Sequence, residues 1–144
     1  MKRVAGLCAA GVLAAGILAG GRQQFPEPRK QFGAGVTGAF EGWFENPDGS
    51  RGFLVGYYNR NTEQELDIPI GPGNRVEPGG PDMGQPTHFL PGRQWGMFIV
   101  PAPKEFKPSD SYVWTLTANG QTTSIPLRLH PDYDAAVVRA DGSD

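Results

Sequence analysis

Apolar and polar residues alternate in short runs along this chain, and clusters of Gly, Pro, Asn and Asp separate the runs. From Phe40 to Glu45, Phe40 and Phe44 share one parity while Glu41, Trp43 and Glu45 share the other, the period of a half-buried strand. Asn46-Pro47-Asp48-Gly49 then reads as a turn, because Pro47 presets φ for a type I turn and Gly49 can take the left-handed position after it. Phe53 to Tyr58 supplies a second strand, so Phe40 to Tyr58 predicts a hairpin. Leu66, Ile68 and Ile70 alternate as a third strand. Pro69 has no amide donor, which assigns that strand to an edge.

Gly71 to Pro86 is dense in Gly and Pro and reads as a long loop, of the kind that is functional or disordered in a compact domain. Thr87 to Leu90 predicts a short strand. Trp95 to Val100 is apolar on both parities apart from Gly96, the pattern of a central strand, and Pro101 to Asp110 reads as a connection. The clearest local signal is Tyr112 to Leu127. Asn119-Gly120 is the preferred dipeptide of a type I′ turn, whose two central residues both need φ > 0. That turn sets Trp114 opposite Ile125, Tyr112 opposite Leu127 and Leu116 opposite Thr123 on an apolar face. Thr115 then meets Ser124 and Thr117 meets Thr122 on a hydroxyl-rich one. A one-residue slip would mix the faces. The pattern predicts an all-β, antiparallel, immunoglobulin-like β-sandwich of six to seven strands, with Trp114 in its core.

The first residues change the picture of where this domain works. Lys2 and Arg3 precede Val4 to Ala19, a run without charge, and Ala19-Gly20-Gly21 precedes polar Arg22-Gln23-Gln24. This order reads as a signal peptide over residues 1–21. An uncleaved anchor would need about 20 strongly apolar residues, and this shorter run is built from Ala and Gly. The expected organisation is a signal peptide at 1–21, a flexible lead-in at 22–37, a β-sandwich domain at 38–129 and a tail at 130–144. The expected location is periplasmic or extracellular, with no stable transmembrane anchor after cleavage. Cleavage also removes Cys8, the only cysteine, and with it any disulfide or thiol nucleophile.

Composition narrows the partners. The chain has 13 basic and 15 acidic residues, and no basic run that would track a nucleic-acid backbone. Twenty-one Gly and 14 Pro disfavour long helices, since Gly costs about 1 kcal/mol and Pro about 3 kcal/mol in a helix interior.

Catalytic constellations are sparse. His130-Pro131-Asp132-Tyr133-Asp134 offers an imidazole and two carboxylates to a metal, with a solvated tail as the plainer reading. Ser50, Ser109, Ser111 and Ser124 lie outside any Gly-x-Ser-x-Gly elbow. Glu41 and Glu45 on one strand would stand about 13 Å apart at a rise of ~3.3 Å per residue, too wide for a glycosidase pair. The sequence calls for no catalytic residue, no metal and no cofactor.

Trp43 is the most suggestive residue. Its parity with Glu41 and Glu45 predicts an outward indole, a platform for a sugar ring or a partner's apolar side chain, with burial under a flanking loop as the alternative. Tyr57 and Tyr58 point to opposite faces, so one of them extends the same surface. Arg75 and the run Gln85 to Gln94, with His88 and Arg93, supply a polar rim. The binding candidates are therefore Trp43, Tyr57, Tyr58, Arg75, His88 and Arg93. They predict an exported, non-catalytic interaction module for an envelope protein or other envelope component. The alternatives are a carbohydrate-binding sandwich using Trp43 and a neighbouring Tyr, and a small hydrolase assembled around His88 and His130.

Gly42-Trp43, Gly56-Tyr57-Tyr58-Asn59-Arg60-Asn61, Asp67-Ile68-Pro69-Ile70-Gly71-Pro72, Gln85 to Gln94 and Val113-Trp114-Thr115-Leu116-Thr117 together resemble segments of a family of uncharacterised exported bacterial proteins. The likeness spans Phe40 to Leu127. It implies a secreted domain and carries no site residue, and the hairpins resemble those of immunoglobulin-like sandwiches at the level of fold alone.

Overall fold

The computed structural model describes residues 28–133. The predicted signal peptide, Cys8 and the tail from Asp134 onward lie outside the described residues. The described residues are all-β, with eight strands: β1 (Val36–Glu45), β2 (Arg51–Asn59), β3 (Leu66–Asp67), β4 (Asn74–Glu77), β5 (His88–Phe89), β6 (Gly92–Ala102), β7 (Tyr112–Ala118) and β8 (Gln121–Leu127). A single 3₁₀ turn follows at Pro131–Tyr133. All strand pairs are antiparallel and form three sheets, in the orders β1-β2-β6, β4-β7-β8 and β3-β5. The two three-stranded sheets share one core in a sandwich-like arrangement, with Phe53, Val55 and Tyr57 of β2 and Trp114 and Leu116 of β7 among its buried residues.

The β7–β8 hairpin has the predicted register, from Tyr112 opposite Leu127 to Thr117 opposite Thr122. Asn119 and Gly120 turn it with φ of 50° and 76°. Thr115 and Ser124 share a hydroxyl hydrogen bond of 2.9 Å, as do Thr117 and Thr122. The first hairpin also turns as predicted. Gly49 has φ of 85°, and its amide donates to the Asn46 carbonyl at 2.9 Å. The Asp48 carboxylate accepts the Ser50 amide and hydroxyl, and these bonds hold its pKa below the usual carboxylate value.

Four expectations need correction. The segment Gly71 to Pro86 contains β4, which completes the second sheet beside β7; its one apolar residue, Val76, gives no readable period. The loop after it is held by Gln85, whose side chain accepts the Met83 amide and donates to the Pro81 carbonyl. The third strand is cut to Leu66–Asp67, paired with His88–Phe89. β6 lies at an edge of its sheet rather than at the centre. The ordered domain also starts before Gly38. Asn61 mimics a strand neighbour, accepting the Ala34 amide at 2.7 Å and donating to its carbonyl at 2.9 Å, and Ala34 and Val36 are fully buried. At the other end, Leu129 is buried and the His130 carbonyl accepts Trp43 Nε1–H at 2.9 Å.

The buried asparagines Asn59, Asn61 and Asn74 all make side-chain hydrogen bonds. Asn74, fully buried, accepts Trp114 Nε1–H at 3.0 Å and donates to the carbonyls of Ile68 and Pro86. It thereby ties the core tryptophan to the loops at that end of the sandwich. Aromatic rings fill the space between the sheets, with Phe98 edge-on to Trp114 at 4.9 Å and Tyr57 edge-on to Phe89 at 4.8 Å.

Candidate functional site

The predicted platform at Trp43 is overturned by one residue. β1 pairs regularly with β2 up to Phe40 opposite Val55, then skips Glu41 and resumes with Gly42 opposite Leu54 and Trp43 opposite Phe53. Glu41 is the extra residue of a β-bulge, and Gly42 beside it takes φ of 138°. The bulge reverses the parity of everything after it. Trp43 turns inward and packs against the core, while Phe44 turns outward.

The other five predicted residues do not converge either. Tyr57 is fully buried, and its hydroxyl accepts the Leu90 amide at 2.8 Å. Burial raises its pKa above the ordinary phenol value, more than the Leu90 bond lowers it. Arg75, opposite Thr115 on the other sheet, pairs with Glu77 at 3.3 Å. His88, on β5, is exposed and bracketed by two carboxylates, Asp67 at 2.7 Å from Nδ1 and Glu65 at 3.1 Å from Nε2. The Asp67 hydrogen bond dominates in raising its pKa. Because the two acids take opposite ring nitrogens, they do not converge on one point as metal ligands must. No group of three such ligands occurs among the described residues.

Only Tyr58 and Arg93 remain together, opposite one another on β2 and β6. They belong to the outer face of the first sheet, which carries a group the sequence pattern missed. Trp95 is 72% exposed, Ile99 50% and Met97 40%. The irregular pairing of β6 with β2 between Val55 and Tyr57, with Gly96 at φ of 57°, lifts this part of β6 outward.

Trp95 is held in place from beneath. The Arg93 guanidinium lies 3.7 Å from the centre of its ring. That guanidinium is fixed by Glu41 at 2.8 Å and by the carbonyls of Tyr57 and Gln94 at 3.0 and 2.7 Å. The second Glu41 oxygen accepts the Gly96 amide at 2.8 Å. Glu41 starts on β1 and must cross β2 to reach these partners. It crosses over Gly56, where a β-carbon would come within 2.3 Å of Glu41 Oε1 and of the Gln94 carbonyl. Gly52 serves the neighbouring row in the same way: Phe44 lies over it, and a β-carbon there would come within 2.4 Å of Phe44 Cζ and 2.9 Å of Ile99 Cγ2.

The outer face is therefore a tiled surface. Two glycines of the middle strand let side chains of β1 reach β6, one tile an ion pair under an indole and the other aromatic. Gly52 and Gly56, four residues apart in a strand, were the available signals, since strand glycines mark bulges and close approaches.

No protein-family model, no curated protein and no solved structure matches the chain.

Proposed function

We propose that this chain is an exported, non-catalytic interaction module that binds a partner protein of the envelope through the outer face of its first sheet. The observation that supports the reading is the fixed, solvent-facing indole of Trp95. Its support engages an ion pair whose Glu41 side chain is only 9% exposed. A side chain immobilised before binding loses less entropy on binding, where each rotamer-rich group otherwise costs about 0.5–1.5 kcal/mol. Trp and Arg are also the residues that dominate protein interfaces. Met97 and Ile99 beside the indole offer contact area and no strong hydrogen bonds, which suits a partner's apolar side chains better than a sugar's hydroxyls.

The fold that carries this face is read as an immunoglobulin-like sandwich. Setting aside the two-residue strands β3 and β5, the chain order matches strands A, B, C, E, F and G, grouped as A-B-E and C-F-G. Export rests on the basic, apolar and small-residue order of residues 1–21. A polysaccharide stacked on Trp95 is the second reading, supported by Tyr58 on the same face.

The test is capture from the source cell's envelope fraction by wild type, Trp95→Ala and Trp43→Phe, with bound protein and polysaccharide both identified. The account expects a defined protein retained by wild type and Trp43→Phe and lost with Trp95→Ala. Retention of the same material by Trp95→Ala contradicts it.

A further inference from the structure

We propose that the seam between β1 and β8 is a second binding site, separate from the Trp95 face, and that it takes a small amphipathic carboxylate: one acid group on an alkyl body.

β1 and β8 are edge strands of different sheets, so the sandwich has to close along their seam without a ladder. Side-chain hydrogen bonds fasten it on either side of a gap. On one side, Thr123 Oγ1–H donates to the Val36 carbonyl at 2.9 Å. On the other, Trp43 Nε1–H donates to the His130 carbonyl at 2.9 Å. Beside Val36, Gly38 allows close approach: a β-carbon there would lie 2.6 Å from Trp114 Cε3 and 2.8 Å from Ile125 Cδ1.

Between the fastenings the strands part around a cleft of about 340 Å³, lined by Phe40, Ile125, Pro126, Arg128 and His130. That volume is at the small end of the roughly 300–1,000 Å³ typical of ligand pockets. Its floor is apolar, from Phe40 and Ile125. Along the chain, Leu127 and Leu129 point into the core while Pro126, Arg128 and His130 are exposed, so alternation delivers both basic groups to the same side.

Among the described residues the cleft is lined by Arg128 and His130 and by no acid, and Arg128 is exposed and makes no hydrogen bond or ion pair with them. Asp132 pairs with the His130 ring, with Oδ2 3.5 Å from Nδ1 and its own amide donating to Nδ1 at 3.2 Å, and leaves Arg128 as the charge that a ligand would meet. A guanidinium at the mouth of an apolar cleft complements a planar monoanion, which it can hold with two parallel hydrogen bonds. An alkyl body then covers Phe40 and Ile125.

The experiment titrates the full chain with hexanoate, octanoate and decanoate, following backbone NMR shifts. 1-Octanol serves as the uncharged control and a short peptide ending in Phe as the alternative source of an apolar carboxylate. The expected result is saturable binding with shifts centred on Phe40, Ile125 and Arg128. Affinity should rise about three- to fourfold per added methylene until the cleft is filled. Arg128→Gln, at an exposed position that leaves the fold intact, should weaken octanoate about tenfold or more and leave 1-octanol unchanged. Shifts at the seam that are lost in Ile125→Ala but kept in folded controls give independent support. No saturable binding, equal affinity for octanoate and 1-octanol, indifference to Arg128→Gln, or binding of the peptide alone each overturns the proposal.

Discussion

Replacing Gly56 with Ala is the sharpest perturbation of the outer face. Gly56 is not among the residues at positive φ, so alanine fits its backbone and the cost is steric. The new β-carbon would lie 2.3 Å from Glu41 Oε1, 2.3 Å from the Gln94 carbonyl oxygen and 2.7 Å from Arg93 Nη1. A side-chain oxygen can swing away, but the Gln94 carbonyl belongs to β6, so the strand itself has to move. Overpacking of this kind costs about 1–3 kcal/mol, and losing a hydrogen bond to a charged group adds about 1.5–3 kcal/mol where it is not replaced by water. Arg93 keeps 24% side-chain exposure, so water recovers part of the second term. The expected net loss is about 2–3 kcal/mol, or a fall in Tm of about 8–20 °C for a domain of this size. Urea unfolding measures the first and calorimetry the second. Acrylamide quenching should also become more efficient as the indole of Trp95 loses its support. Stability within about 0.5 kcal/mol of wild type, the range of an ordinary surface change, would refute the placement of Glu41 across β2.

The two tryptophans should respond in opposite ways: Trp43→Ala is expected to cost about 2–4 kcal/mol as a large core truncation, and Trp95→Ala no more than about 1 kcal/mol, both by urea titration. Asn74→Ala leaves Trp114 Nε1–H and two carbonyls without their partner and should cost more than about 3 kcal/mol, at roughly 1–3 kcal/mol per buried group. His88 should titrate above its ordinary 6.5 in a histidine NMR experiment, and Asp67→Asn should lower the midpoint, since the Asp67 bond is the main cause. A folded-state pKa raised in this way gives stability that is fully present below the unfolded value and lost as pH rises through the folded one, so His88→Ala should lower stability more at about pH 5–6 than above the folded-state pKa. Tyr57 has the same sign at alkaline pH: unfolding by base should set in as the unfolded phenol ionises near about 10, and Tyr57→Phe should delay it.

The parts of this fold legible in the sequence are those where a turn and a period agree. Asn119-Gly120 set the β7–β8 register, and the hydroxyl and apolar faces could settle only one way around it. Pro47 and Gly49 did the same for the first turn. Legibility failed wherever a glycine sat inside a strand. Gly42 follows the extra residue Glu41, and one inserted residue was enough to exchange the roles of Trp43 and Phe44. Gly96 sits where β6 departs from regular pairing, which is why a run apolar on both parities lies at an edge with three large side chains in solvent. Two-sided apolarity marks a buried strand only when both faces are covered by a further layer of the same chain; here the outer face has no such layer among the described residues. β4 was invisible for a different reason, being four residues long with one apolar side chain, and it joins the sheet through backbone pairing and Asn74.

The central claim is that the outer face around Trp95, and not Trp43, is where this protein meets its partner. Oxidative footprinting of the full chain, with and without the envelope fraction, tests it most directly. Trp95 and Met97 are open to oxidation in the isolated chain, while Met83 is half-buried in the core and reports on overall unfolding. The account predicts that the envelope fraction protects Trp95 and Met97 and leaves Met83 unchanged. Undiminished oxidation of Trp95 and Met97 in a sample where the chain is demonstrably bound would contradict it.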